Sequence, residues 1–238
     1  MASPKFPSQR SAGMVAITNE DRATYSAIAA DLKGNPKAII TPGFLRLDQI
    51  LGTSNRVAFP VLVNEGTGTQ RPSEQRLRPS DSFYVSGVSV HVTKEVIADP
   101  DGSSEPLTWA NPKVFTGVDQ PAIAALMNTG RLRVEVDGVV YIQALDLFRF
   151  RYVGQAQEGL NVLAANAYGA DQWKTADVFH ANTPVFRLNG GSSNVIEVLL
   201  GQSVAMVAPV GTDQNVLSVH LHGWLAQNAG QFNPASRD

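Results

Sequence analysis

The chain has no cysteine, which removes disulfides, thiolate metal sites, iron–sulfur clusters and cysteine nucleophiles together and leaves the redox compartment open. It has no excess of charge either: 19 Lys and Arg stand against 21 Asp and Glu, a formal net charge of -2. The two signs are mixed along the chain, so no strongly basic face for nucleic acid is apparent. No apolar run approaches the roughly 18 residues of a membrane span, although 43% of the residues are hydrophobic. The opening "MASPKFPSQRSAG" lacks the apolar core of a signal peptide. Neither an Asn-x-Ser/Thr sequon nor a Gly-x-Ser-x-Gly nucleophile elbow occurs. A soluble protein made in a cytoplasm is expected. At 238 residues it can bury most of its apolar surface and needs neither metal nor disulfide for stability.

What the sequence does have is alternation. Residues 1–13 are rich in Pro, Ser and Lys/Arg with one aromatic, Phe6, and are expected to form a mobile arm. "NEDRATYSAIAADLKG" then predicts a one-sided helix, capped by Asn19 and closed by Gly34, with Tyr25, Ile28, Ala29 and Leu32 on one face. From Gly43 the period becomes two. "GFLRLDQIL", "RVAFPVLV", "FYVSGVSVHVTKEV", "TPVFRLNG", "NVIEVLLG", "VAMVAP" and "NVLSVHLHGWLAQ" read as strands, with Gly87 shifting the phase as a bulge would. "RLRVEVDGVVYIQAL" is the cleanest signal. Leu132, Val134 and Val136 point one way and Arg131, Arg133 and Glu135 the other, with Asp137-Gly138 as a type I′ turn. A second helix precedes it in "DQPAIAALMNTG", between Asp119 as cap and Gly130 as stop.

Roughly eight to ten short strands, with two short helices in connections, predict an all-β antiparallel β-sandwich. One sandwich domain is expected over residues 14–228, with a loose tail over residues 229–238. The Asn64–Ser82 loop carries Arg71, Arg76 and Arg78, offset by Glu65, Glu74 and Asp81. It reads as a salt-bridging contact loop.

Four constellations bear on chemistry. In "NVLSVHLHGWLAQ", Ser218, His220, His222 and Trp224 share one strand face and Leu217, Val219, Leu221 and Leu225 the other. The aliphatic side is the natural core face, so both histidines point outward or into a second, more polar layer. Two imidazoles at this spacing can chelate a metal, as in the His-x-His of cupins. A cupin site also wants a glutamate shortly after the pair and a later histidine, and here only Asp238 follows and no later histidine exists. His91 and His180 remain as completing ligands, without spacing to argue for them. The expectation is therefore no metal and no cofactor, with His220 and His222 as weak metal candidates.

"LNGGSSN" around Gly190 and Gly191, with Ser192 and Ser193, resembles a phosphate-binding loop but lacks the following helix, so a hairpin connection is expected. Glu135, Asp137 and Asp146 surround the Asp-Gly hairpin as solvated faces and turn caps, because a catalytic pair is defined by distance and not by spacing. "LDLFRFRYVG" alternates Phe148 and Phe150 with Arg149 and Arg151. That alternation can serve single-stranded nucleic acid, but as a strand it buries Phe148 and Phe150 and leaves Arg149 and Arg151 outside for a subunit contact. Strong nucleic-acid binding is not expected.

Three stretches in order carry a family resemblance. "LRPSDSFYVSGVSVHVTK" sets an Arg-Pro-x-Asp turn before a strand. "WANPKVFTG", a short helix and a hairpin follow in "PAIAALMNTGRLRVEVDGVVYI". "TPVFRLNGGSSNVIEVLLG" and "NVLSVHLHGWL" supply the final strands. Over Leu77 to Leu225 this order resembles the β-sandwich (jelly-roll) capsid proteins of bacterial viruses, especially tailless ones. The resemblance implies a jelly-roll virion subunit, made in the host cytoplasm, that self-assembles into a shell and has no active site. Subunit contacts would fall to Lys5, Phe6 and Arg10 of the arm, to Arg71, Arg76 and Arg78, and to Arg149 and Arg151. The missing strongly basic arm departs from capsids that hold genome, and suits a shell lined by an internal membrane or by other virion proteins. A double barrel would need about twice as many strands.

Two rival readings remain. One is a receptor- or glycan-binding sandwich on a virion or cell surface, with "AYGADQWKTADVFH" as its loop, Tyr168 and Trp173 as its aromatics, and Trp109 and Trp224 as further candidates. The other is a cupin-like metalloenzyme centred on His220 and His222.

Overall fold

A computed structural model of the chain describes residues 19–32, 35, 37–52, 54–61, 77–96, 98, 105–107, 119–150, 180–200 and 213–229. Several expectations lie outside these residues, among them the arm over 1–13, most of the long arginine loop, the strand in "VAMVAP", the Gly34 helix stop, the ligand loop with Tyr168 and Trp173, and the tail beyond Ala229. The chain divides into two compact units, Met1–Pro36 and Lys37–Asp238. In the first, α1 spans Asn19–Asp31. Ile28 and Leu32 are buried, Tyr25 and Ala29 half-buried and Arg22 and Ser26 exposed, the one-sided pattern the sequence predicts.

The second unit is all-β, built from two antiparallel sheets. Its strands are β1 (Ile39–Ile50), β2 (Arg56–Phe59), β3 (Ser82–Val96), β4 (Glu105–Leu107), β5 (Arg131–Val136), β6 (Val139–Asp146), β7 (His180–Asn189), β8 (Asn194–Leu199) and β9 (Asp213–Gln227). Sheet A has the order β1-β9-β3, and the far edge of β3 is shared by β7 at one end and β4 at the other. Sheet B has the order β2-β8-β5-β6. Both apolar faces feed one core: Leu45, Leu47, Val90, Leu188, Val219 and Leu221 come from sheet A, and Val57, Phe59, Leu132, Val134, Ile196 and Val198 from sheet B.

The alternation explains each strand. In β5, Leu132, Val134 and Val136 are buried while Arg131 is exposed and Arg133 and Glu135 half-buried. The Asp137-Gly138 turn has positive φ at both positions, 50° and 81°, as a type I′ turn requires. In β3 the core residues are Phe83 and Val85, then Val88, Val90 and Val92. The register slips between Val85 and Gly87 against both β7 and β9, so a bulge moves the apolar side chains from odd to even positions. A second helix, α2 (Asp119–Thr129), buries Ala122, Ile123, Leu126 and Met127 in the core and stops at Gly130, whose N–H donates to the Leu126 carbonyl.

Four expectations are corrected. β1 begins at Ile39, four residues before Gly43, because Ile39 to Pro42 pair with Trp224 to Gln227 despite their weak alternation. β2 ends at Phe59, just before Pro60, which has no N–H to give a ladder. The Gly190–Ser193 turn is not a hairpin: β7 lies in sheet A and β8 in sheet B, so the turn carries the chain from one sheet to the other. Finally, "LFRF" is a 3-10 turn, Leu147–Phe150, and not a strand. Its period of three buries Leu147 and Phe150 together and leaves Phe148 exposed with Arg149.

Candidate functional site

The outer face of sheet A, away from the apolar core, carries a patch of buried polar side chains. Ser89 and His91 of β3 and Ser218 and His220 of β9 lie on it, and all four are buried. Strand pairing sets their neighbours: Ser89 and Arg46 flank His220 on either side, while His91 and Asp48 flank Ser218. The two histidine rings meet diagonally, with centroids 4.3 Å apart and planes 32° from parallel. Phe44 of β1 covers the other side of His220 edge-on, at 5.2 Å.

Most of this layer is hydrogen-bonded. Asp48 Oδ1 accepts from the Ser218 hydroxyl at 2.5 Å and from Arg46 Nε at 3.0 Å. Ser89 Oγ lies 2.8 Å from His91 Nε2. The other ring nitrogens named here are orphaned: His91 Nδ1 and His220 Nε2 are buried without a hydrogen-bond partner. Desolvation, and then the charge of Arg46, lower His91 to about 4. Desolvation, His91 and Arg46 together lower His220 to about 2. Both imidazoles are therefore neutral at pH 7.

The sequence-level pairing of His220 with His222 changes accordingly. His220 enters the polar layer and contacts His91, whereas His222 is exposed and bonds Ser86, whose hydroxyl also donates to the His222 carbonyl. His180 is elsewhere, edge-on to Phe150 at 6.4 Å. Among the described residues, no group of three or more His, Asp or Glu is placed to hold a metal ion. The His91–His220 contact was invisible in the sequence because it crosses between strands distant in the chain. The only signal was that both lie on polar-alternating faces.

A second charged group occupies the outer face of sheet B. Glu197 of β8 is 2% exposed. It accepts from Arg56 Nε of β2 and, at 2.8 Å, from Arg133 of β5, which also bonds Glu135. Asp146 pairs instead with Arg131 at 3.4 Å, fully at the surface. Asp137 works in the turn, accepting from the Ser193 N–H at 3.2 Å. These carboxylates each have a structural partner; the sequence pattern predicts solvated faces and turn caps at Glu135, Asp137 and Asp146, and does not single out the buried Glu197.

Between β6 and β7 runs a groove of about 400 Å³, lined by Tyr141, Ile142, Leu145, His180, Asn182 and Phe186, with Tyr141 stacked on Phe186 at 5.3 Å. Exposed apolar side chains stand together on β6, at Val139, Val140 and Tyr141, and singly along β1, at Ile39, Phe44 and Ile50. Of the proposed contact arginines, Arg78 and Arg149 are exposed. Lys5, Phe6, Arg10, Arg71, Arg76 and Arg151 lie outside the described residues, as do Tyr168, Trp173 and Trp109 of the ligand-loop reading. Trp224 is half-buried on β9. No helix among the described residues is long and apolar enough to cross a membrane. Comparison of the sequence with protein-family models and with curated proteins finds no match to either.

Proposed function

We propose that this chain is a virion structural protein of the jelly-roll type, a shell subunit of a tailless bacterial virus that works through contacts with copies of itself and not through catalysis. The observation that carries this reading is the nesting of the strand pairs. Among the described strands, with β4 set aside as an insertion, β1 pairs with β9, β2 with β8, β3 with β7, and β5 with β6 as a hairpin. Successive pairs fall alternately in sheet A and sheet B. This nesting supports the jelly-roll reading, because one long antiparallel ribbon rolled up on itself into a double Greek key would pair its strands in that order. A fold supports many functions, so the step from jelly roll to shell rests on two further features. The family resemblance points to capsids, and apolar side chains stand exposed on the edge strands β1 and β6. The near-neutral charge suits dense packing and a shell lined by membrane or by another protein.

Light scattering and negative-stain electron microscopy of the purified chain, over a range of concentration and salt, test the reading. Shells, rings or defined capsomers are expected, and removal of residues 1–13 is expected to impair their formation while leaving the circular-dichroism signature of the fold. A chain that stays monomeric under all these conditions, and with its virion partners added, overturns it.

A further inference from the structure

The His91–His220 pair has properties that neither packing nor assembly uses. His91 is 1% exposed and His220 5%. Each keeps one ring nitrogen without a partner, a costly arrangement for a buried polar group. The core face of the same strands fills its positions with Val and Leu at no such cost. As neutral rings the two imidazoles stack. On protonation each gains a positive charge and a further N–H, 4.3 Å from the other ring and near the Arg46 guanidinium. Among the described residues, the charged and titratable groups on this face beside the pair are Arg46 and Asp48 from β1 and, two residues along β9, the exposed His222 held to Ser86. Asp48 Oδ1 is already engaged by Arg46 and Ser218. From β3 and β9 the remaining neighbours are the hydroxyls of Ser89 and Ser218. Water is the solvent that stabilises two imidazoliums, and the closed layer excludes it.

We propose that His91 and His220 form an acid-sensitive release in sheet A: proton uptake by the pair opens the outer face of β1, β9 and β3 to water, and neutralisation closes it again. The inference does not depend on the shell reading. The protonated pair selects the hydrated state because only that state solvates its charge.

The sign follows from the direction of the shifts. Burial and Arg46 hold both rings below the ordinary histidine value of 6.5, so the opened chain binds protons that the closed face refuses. The closed state is fully favoured above pH 6.5 and loses roughly tenfold per pH unit for each histidine as pH falls. The loss through His91 levels off near pH 4, while that through His220 continues.

Backbone hydrogen exchange of the full chain from pH 7.5 to 4.5, corrected for intrinsic exchange rates, tests this. In the wild type, protection of amides in β1, β3 and β9 is expected to fall by up to about a hundredfold per pH unit below pH 6, reversibly, ahead of β5 and β8. In the double variant His91→Gln, His220→Gln the extra fall is expected to vanish. Flat protection in the wild type, or an equal fall in the variant, overturns the proposal. Imidazole NMR of the wild type gives a check that no variant can spoil by misfolding. Both rings should stay neutral until the amides open, and titration of either near pH 6.5 with the sheet still protected overturns it.

Discussion

Gly190 sits so close to the carbonyl of Arg78 that a Cβ placed on it would stand 1.8 Å from that oxygen. The contact is part of a clasp. The Asp81 N–H donates to the Arg78 carbonyl and the Gly190 N–H to the Asp81 carbonyl, each at 2.9 Å. The Asp81 carboxylate then accepts from Ser80 Oγ and from the Asn228 N–H. One turn thus holds the start of β3, the crossing from β7 to β8 and the end of β9.

Gly190→Ala is therefore expected to destabilise the fold by about 1–3 kcal/mol or more, since backbone and not a flexible side chain is in the way. Gly191→Ala, whose Cβ would meet the Pro79 carbonyl at 3.3 Å, should cost less. Urea midpoints of the two variants, compared with the wild type, give the ranking. Equal midpoints would refute the clasp.

The 3-10 turn after β6 makes two adjacent aromatics unequal. Phe150 is 1% exposed and Phe148 53%. Phe150→Ala should cost about 3–5 kcal/mol through the cavity it leaves, and Phe148→Ala within about 0.5 kcal/mol of zero for the isolated subunit. Thermal melts decide it. Similar losses at both sites would restore the strand, in which the two rings share a face.

In the β5–β6 turn, Gly138→Ala at φ 81° is expected to lose about 1 kcal/mol. Asp137→Asn should be well tolerated, because Asn accepts positive φ and keeps an oxygen for the Ser193 N–H. Asp137→Val loses both and should be the worst of the three by chemical denaturation.

Glu197 is the buried member of its ion network, with Arg56 58% exposed and Arg133 half-buried. Glu197→Ala leaves two arginines facing a void, Arg133→Ala strips one partner from a buried carboxylate, and Arg56→Ala releases a side chain already largely in water. The expected order of melting-temperature losses is Glu197→Ala, then Arg133→Ala, then Arg56→Ala. Arg56→Ala as the largest loss would contradict the network.

How far the sequence carried can be read from these same residues. Period-two patterns in β5, β8 and the core face of β9 were legible because side chains on one face share one environment. The Asp-Gly turn was legible because few residues accept its backbone. The Phe148–Phe150 run misled, since Leu147 and Phe150 fit a period of three as well as the rings fit a period of two, and the choice was made by packing near Gly130, whose carbonyl accepts the Leu147 N–H. For His220 the sequence left two surroundings open, solvent or a second polar layer. Polar alternation marks a face as away from the apolar core, but it does not say whether water reaches that face. The partner that decides its chemistry, His91, arrives only when β3 and β9 pair.

That pairing also sets a timetable. β9 lies between β1 and β3 and is hydrogen-bonded to both, yet among the described strands it comes last in the sequence. Until it emerges, β1 has no ladder partner among the described strands and β3 presents a bare edge, both with apolar faces waiting. A nascent chain in that condition is slow to fold and open to wrong partners. β9 is the strand that locks sheet A, so the sheet closes only when a late segment of the fold returns to the two strands made long before it.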